Sequence, residues 1–192
     1  VEVATTNCPI IISQPPSTIN VCQGSPLYIS VKASGAARYQ WYRNAVPIPN
    51  AVHNYYSFNS AADTNAGVYS VKLFEMNYPS PACTPTITTN SVVTIVNVPK
   101  ITTQPAKNTL CQATSHKMEV MATNASTFQW YKNGDSIVGA DSNTYIQTPI
   151  SAIGDTFKVE VSNGICPKAV SSDVILKSVD PKTQVALATE EQ

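Results

Sequence analysis

Gln40-Trp41-Tyr42-Arg43-Asn44 returns later in the chain as Gln129-Trp130-Tyr131-Lys132-Asn133, and this doubled motif decides the fold. Outward from it, Pro9-Ile10-Ile11-Ile12-Ser13-Gln14-Pro15 matches Pro99-Lys100-Ile101-Thr102-Thr103-Gln104-Pro105, and Cys22-Gln23 matches Cys111-Gln112. The spacing from Cys to Trp is the same in both copies, so the intervening segments have equal length. Self-similarity at a fixed period marks a repeated structural unit. Two copies of one domain are expected, over residues 9–98 and 99–179 with Val98-Pro99-Lys100 as a short joint. A lead-in covers residues 1–8, and a tail over 180–192 loses the strand pattern and reads as a linker.

Within each copy the residues alternate. Leu27, Ile29 and Val31 are interleaved with Tyr28, Ser30 and Lys32, and Met118, Val120 and Ala122 with Lys117, Glu119 and Met121. A period of two is that of a strand with one face in the core. Asn133-Gly134 and Asn163-Gly164 are hairpin signals, because both residues tolerate the positive φ of tight turns. Short strands at this spacing predict an all-β sandwich.

Composition narrows the function. Only 12% of the 192 residues are charged, 12 Lys+Arg balance 12 Asp+Glu, and no two basic residues are adjacent. Nucleic acid and anionic membranes are held by clustered cations, so neither is an expected partner. No apolar run approaches the roughly 20 residues of a membrane span. The chain starts at Val1 without a leader pattern, as a mature protein or excised fragment would. Five cysteines in a small polar β chain suit an oxidising compartment, and extracellular or cell-surface placement is expected.

Further motifs carry a family resemblance. Trp41 and Trp130 resemble the buried tryptophan of immunoglobulin strand C, and Asp63-Thr64-Asn65-Ala66-Gly67-Val68-Tyr69 resembles the corner leading into strand F. Tyr69 is then the tyrosine-corner residue; Phe157 in Gly154-Asp155-Thr156-Phe157 takes its place without a hydroxyl. Where the family commonly has its inter-sheet disulfide stand Val31 with Val71, and Val120 with Val159. Both copies thereby forgo roughly 2–4 kcal/mol of loop-closure stabilisation. The order Q-P, V-C-x-G, Q-W-Y and a cysteine after strand F resembles bacterial immunoglobulin-like repeats of Bacteroidetes-type secreted and surface proteins such as adhesins. The resemblance covers about residues 9–180. It implies a non-catalytic structural or adhesive module, a rod-like segment flanked by neighbouring domains in a longer polypeptide.

Immunoglobulin topology also bears on the cysteines. Cys22 and Cys111 precede strand B at one end of each domain; Cys83 and Cys166 follow strand F at the other. Bridges within each domain, Cys22–Cys83 and Cys111–Cys166, would span near 20 Å at ~3.3 Å per strand residue, against the ~6 Å a disulfide permits. The alternative joins Cys22 to Cys166 across the joint and Cys8 to Cys83, leaving Cys111 toward whatever follows. Both schemes stay open at this point.

Candidate chemistry is sparse. His53 and His116 are not equivalent in the repeat and lie in no nucleophile motif, so solvated or packed structural roles are expected. Asp63 and Asp155 suit turn or capping roles. Asp135 and Asp141 lack the spacing of a calcium loop, and nothing calls for a metal or cofactor. Asn124-Ala125-Ser126 and Asp135-Ser136-Ile137 match short glycosylation acceptor patterns that arise readily by chance.

A binding face is a stronger candidate. In Tyr55-Tyr56 with Phe58, Tyr56 matches Tyr145 and should point inward, whereas Tyr55 matches Thr144 and should point outward, available to a sugar ring or a protein partner. The F–G segment of domain 1, residues 76–85 with Tyr78, Pro79 and Pro81, is much longer than its counterpart Ser162–Cys166. Long loops at the end of a sandwich often carry binding function. A glycan- or protein-binding module is therefore the alternative to the structural reading.

Overall fold

The computed structural model describes residues 8–76, 83–106, 109–111, 115–150 and 154–179. The chain divides into two compact units, Val1–Val96 and Asn97–Gln192. The division falls two residues before the boundary drawn from the repeat.

The first unit contains β1 (Ile10–Ser13), β2 (Thr18–Cys22), β3 (Leu27–Ser30), β4 (Lys32–Ser34), β5 (Arg38–Arg43), β6 (Val46–Pro47), β7 (Tyr55–Phe58), β8 (Gly67–Phe74), β9 (Thr86–Ile87) and β10 (Ser91–Val96). One sheet runs β2-β10-β8-β5-β6 with β9 also on β8; the opposing layer is built from the β1–β4 and β3–β7 pairs. β2 lies parallel to β10, while β5 and β8 are antiparallel with Trp41 opposite Val71.

The repeated Gln-Pro explains how one N-terminal strand serves both layers. Pro15 interrupts the ladder, because proline has no amide to donate, and the chain passes from β1 in one layer to β2 in the other. Gln14 Oε1 accepts from Thr89 N and Thr89 Oγ1 at 3.1 and 3.4 Å, tying the crossing to the segment before β10. In the second unit Gln104 Oε1 does the same with Ser172 N and Oγ at 2.9 and 3.3 Å.

Gln40 and Gln129 have an equally local role. Gln40 Nε2 donates to the carbonyls of Trp41 and Ile48, and Gln129 Nε2 to those of Trp130 and Ile137. Each indole reaches a carbonyl twelve residues ahead at 2.9 Å, Trp41 to His53 and Trp130 to Ser142. A buried Trp N–H needs such a partner. This is why the Gln-Trp motif recurs.

The core follows the predicted alternation. Leu27, Ile29, Val31, Trp41, Tyr69, Val71, Leu73 and Val93 are buried together. Val31 sits between β3 and β4, its amide bonded to Asn54 O at 2.9 Å. The hydroxyl of Tyr69 donates to Asn65 O at 2.7 Å across the short 3-10 turn Asp63–Asn65.

The second unit repeats the plan with β11 (Lys100–Thr103), β12 (Thr109–Cys111), β13 (His116–Glu119), β14 (Met121–Thr123), β15 (Thr127–Lys132), β16 (Asp135–Ser136), β17 (Thr144–Gln147), β18 (Asp155–Ser162), β19 (Ala169–Val170) and β20 (Val174–Val179). Its sheet order, β12-β20-β18-β15-β16 with β19 on β18, matches the first. Met118, Val120, Trp130, Phe157, Val159, Val161, Val174 and Leu176 form the core.

Two turn expectations differ in detail. Asn133-Gly134 has positive φ at both residues, as a two-residue hairpin requires, and Asn44-Ala45 takes the same form in the first unit. Asn163-Gly164 does not: only Gly164 has positive φ, and Asn163 Oδ1 instead accepts from Ile165 N and Cys166 N. The side chain closes that turn in place of a second left-handed residue. Asp155 is no corner cap either; it opens β18, buried, with Lys132 Nζ at 2.9 Å and Asn133 Nδ2 at 2.9 Å.

Candidate functional site

The ladder between β3 and β7 positions the exposed aromatic group of the first unit. Tyr28 stands opposite Ser57 and Ser30 opposite Tyr55. Tyr28 and Tyr55 are therefore diagonal neighbours on one face, a separation that aromatic side chains bridge. His53 lies two residues before Tyr55, in the bend that leads into β7, and its ring is set against that of Tyr55. The rings stack in sequence: Tyr28 on Tyr55 at 5.3 Å and 23°, and Tyr55 on His53 at 5.5 Å and 13°. Tyr28 is 64% exposed and Tyr55 39%.

The next residue along β7 has the opposite role. Tyr56 turns into the core, 6.3 Å from Trp41 and 5.7 Å from Tyr69, with Phe58 packed edge-on at 6.3 Å. Tyr145 repeats this in the second unit, 6.0 Å from both Trp130 and Phe157. The outward partners are not repeated. On the corresponding face of the second unit Lys117 and Glu119 pair at 3.4 Å beside Thr144 and Ile146.

The other sheet of the first unit carries an open groove of about 700 Å³, lined by Arg38, Gln40, Tyr42, Pro47, Val52 and Phe74. Arg38 lies 5.9 Å over the Phe74 ring and Lys72 lies 5.0 Å over Tyr42. On the matching face of the second unit Glu160 accepts from Tyr131 and Lys168, at 3.0 and 2.9 Å. The Lys168 bond, with the smaller contribution of Tyr131, outweighs partial burial and holds the Glu160 carboxyl below its ordinary range.

The remaining expected residues are readily placed. Tyr78, Pro79 and Pro81 lie outside the described residues. Cys8 and Cys83 form a disulfide with a Cα separation of 5.4 Å, which excludes the Cys22–Cys83 bridge. Cys22 and Cys166 are each disulfide-bonded as well. The side chain of Cys111 lies outside the described residues. His53 is a surface ring whose carbonyl serves Trp41, and His116 is half-buried in β13 with Nε2 lacking a partner. Asp135 and Asp141 are exposed. Asn124 lies at positive φ with its amide 3.3 Å from Val98 O. Among the described residues no group of three or more His, Cys, Asp or Glu side chains comes together, and no helix is long and apolar enough to cross a membrane.

Sequence reasoning missed Tyr28. It sits at an outward position of an alternating strand, and only the register with β7 brings it against Tyr55.

No protein-family model and no curated protein sequence matches this chain. Solved structures do. The I67–I69 fragment of the titin I-band aligns with 90% of this chain and 66% of its own length, at 15% identity and a TM-score of 0.64. Immunoglobulin domains 1–4 of Sidekick-1 align with 89% of this chain and 48% of theirs, at 16% identity and a TM-score of 0.63. The N-terminal four domains of Dscam1 isoform 6.9 align at 13% identity, with 93% and 48% coverage and a TM-score of 0.51. The chain thus spans about two thirds of the titin fragment and about half of the other two. At these identities the likeness concerns architecture, and it agrees with the layers, the parallel β2–β10 pair and the buried Trp of each unit. The chain is a tandem pair of immunoglobulin-like β-sandwiches.

Proposed function

We propose that this chain is a non-catalytic structural and adhesive segment of a larger secreted or cell-surface bacterial protein, built as a covalently fastened rod. The observation that carries the reading is where the oxidised cysteines stand within their own units. Cys22 pairs with Val96 in the β2–β10 ladder, at the last residue of the first unit. Cys166 N bonds Asn163 Oδ1, and Asn163 Nδ2 bonds the carbonyl of Asn97, the first residue of the second unit. Both cysteines are disulfide-bonded, Cys83 is taken by Cys8, and Val96 and Asn97 are consecutive. A Cys22–Cys166 bridge across the joint is part of the proposal. Bonds of this kind persist in oxidising compartments, which supports export.

Tryptic mapping without reductant tests it. The peptides holding Cys8 and Cys22, Cys83, and Cys166 should elute as one three-peptide assembly. A separate Cys111–Cys166 pair would overturn the fastened-joint reading.

A second reading, recognition by the first unit, is favoured by the Tyr28–Tyr55–His53 stack, which the second unit lacks and its fold does without.

A further inference from the structure

The ring stack has a geometry that narrows its partner. Aromatic carbons in contact lie about 3.6 Å apart. Centroid distances of 5.3 and 5.5 Å between nearly parallel rings therefore require each ring to slide about 4 Å past the next. The three rings form a staircase, and each step leaves part of an aromatic face uncovered. Around the steps stand hydroxyls: those of Tyr28 and Tyr55 themselves, with Ser57 opposite Tyr28 and Ser30 opposite Tyr55.

Charge supplies the discriminating argument. Tyr28, Ser30, Tyr55 and Ser57 are uncharged, and Lys32 is the one ionised side chain at the outward positions of β3 and β4 among the described residues. The corresponding face of the second unit carries a Lys117–Glu119 ion pair instead. Among the described residues of these strands, an acidic ligand would find a single cation and a basic ligand no outward carboxylate. A ligand matched to exposed ring faces alternating with hydroxyls has flat C–H faces and hydroxyls of its own, and carries no charge. Hexopyranose units meet that description, and a polymer of them spans successive steps.

We propose that the Tyr28–Tyr55–His53 face binds a neutral polysaccharide, its sugar rings laid on the uncovered parts of the aromatic steps. This deepens the recognition reading given above, on which it rests, and does not depend on the disulfide-fastened joint.

The test uses the whole chain in native affinity electrophoresis. Gels contain hydroxyethyl cellulose, mixed-linkage β-glucan or galactomannan as neutral arms and polygalacturonate as the acidic arm. Tyr28→Ala and Tyr55→Ala replace exposed side chains, and Tyr42→Ala on the opposite sheet serves as control. At least one neutral polymer should retard the parent chain, equally at low and high salt. Tyr28→Ala and Tyr55→Ala should each weaken that retardation by about tenfold, as expected for one stacking contact, and Tyr42→Ala should leave it unchanged. The proposal is overturned if no neutral polymer retards the chain, if all three variants behave alike, or if only polygalacturonate binds and salt abolishes it. Size-exclusion chromatography supplies one more contrary outcome: self-association removed by Tyr55→Ala would assign the face to a second copy. Loss of sugar binding with unchanged Cys22–Cys166 mapping would remove this inference and leave the structural reading intact.

Discussion

Replacing Tyr69 by Phe removes one hydroxyl from an otherwise unchanged core. The ring is fully buried against Tyr56 and would remain so, because Phe157 fills the same position in the second unit. What disappears is the donor held 2.7 Å from Asn65 O. A hydrogen bond of this kind contributes about 1 kcal/mol net. Asn65 is only half-buried, so water can reach its carbonyl and limit the further penalty. The loss should therefore be about 1–1.5 kcal/mol, which lowers the midpoint of a domain this size by roughly 6–10 °C. Each unit has a single tryptophan, Trp41 in the first and Trp130 in the second. In a Trp130→Phe background, fluorescence follows the first unit alone. Thermal melts of that chain with and without Tyr69→Phe give the shift directly. A midpoint moved by less than about 1 °C would refute the argument, because the corner would then be held by packing alone. Alkali adds a second readout. Burial, acting against the nearby Arg43, raises the Tyr69 phenol above its ordinary value of 10.0. The folded state then holds the proton more tightly than the unfolded chain, so stability is complete below pH 10 and falls as pH rises beyond it. The Phe variant should lack that decline.

The Cys8–Cys83 bond closes a separation of 75 residues, worth about 4 kcal/mol of chain entropy; a Cys8→Ser, Cys83→Ser chain should show a matching fall in guanidinium unfolding free energy followed through Trp41. Ala45 occupies a left-handed conformation, φ 63°, at the position that Gly134 fills in the second unit. Ala45→Gly should raise the stability of the first unit by about 0.5–1 kcal/mol, measured by the same melts. Burial opposes ionisation of Asp155, yet its bonds with Lys132 and Asn133 prevail and place its carboxyl below the ordinary 3.8. Its contribution is therefore present above pH 3.8 and lost as pH falls below it; acid titration followed through Trp130 should show a destabilisation that Asp155→Asn abolishes.

Much of this architecture is legible because single residues report on whole layers. The alternation from Leu27 to Val31 identifies the core face, and comparing Tyr55-Tyr56 with Thr144-Tyr145 separates the outward ring from the inward one. The repeat supplies what a lone strand could not, since a core position must be apolar in both copies and a surface position need not be. The rest depends on register. Tyr28 meets Tyr55 only through the diagonal of an antiparallel ladder, and Asp155 meets Lys132 only where β15 and β18 run side by side. The roles of Gln14 and Gln40 were hidden for another reason: each bonds main-chain groups as well as, or instead of, side chains, and a backbone partner has no signature in the sequence.

The Cys8–Cys83 bond has a consequence for tension. Within the first unit, a pull applied between Cys8 and Val96 travels through the sulfur atoms to Cys83 and onward along residues 84–96, bypassing the strands between. Residues 9–82 cannot be drawn out while that bond is intact. At about 3.5 Å per residue, the length the first unit can pay out is limited to roughly 45 Å, where the reduced chain would release about 300 Å. A thiol reductant should therefore set the extensibility of this unit, with the oxidised form behaving as a nearly fixed-length link.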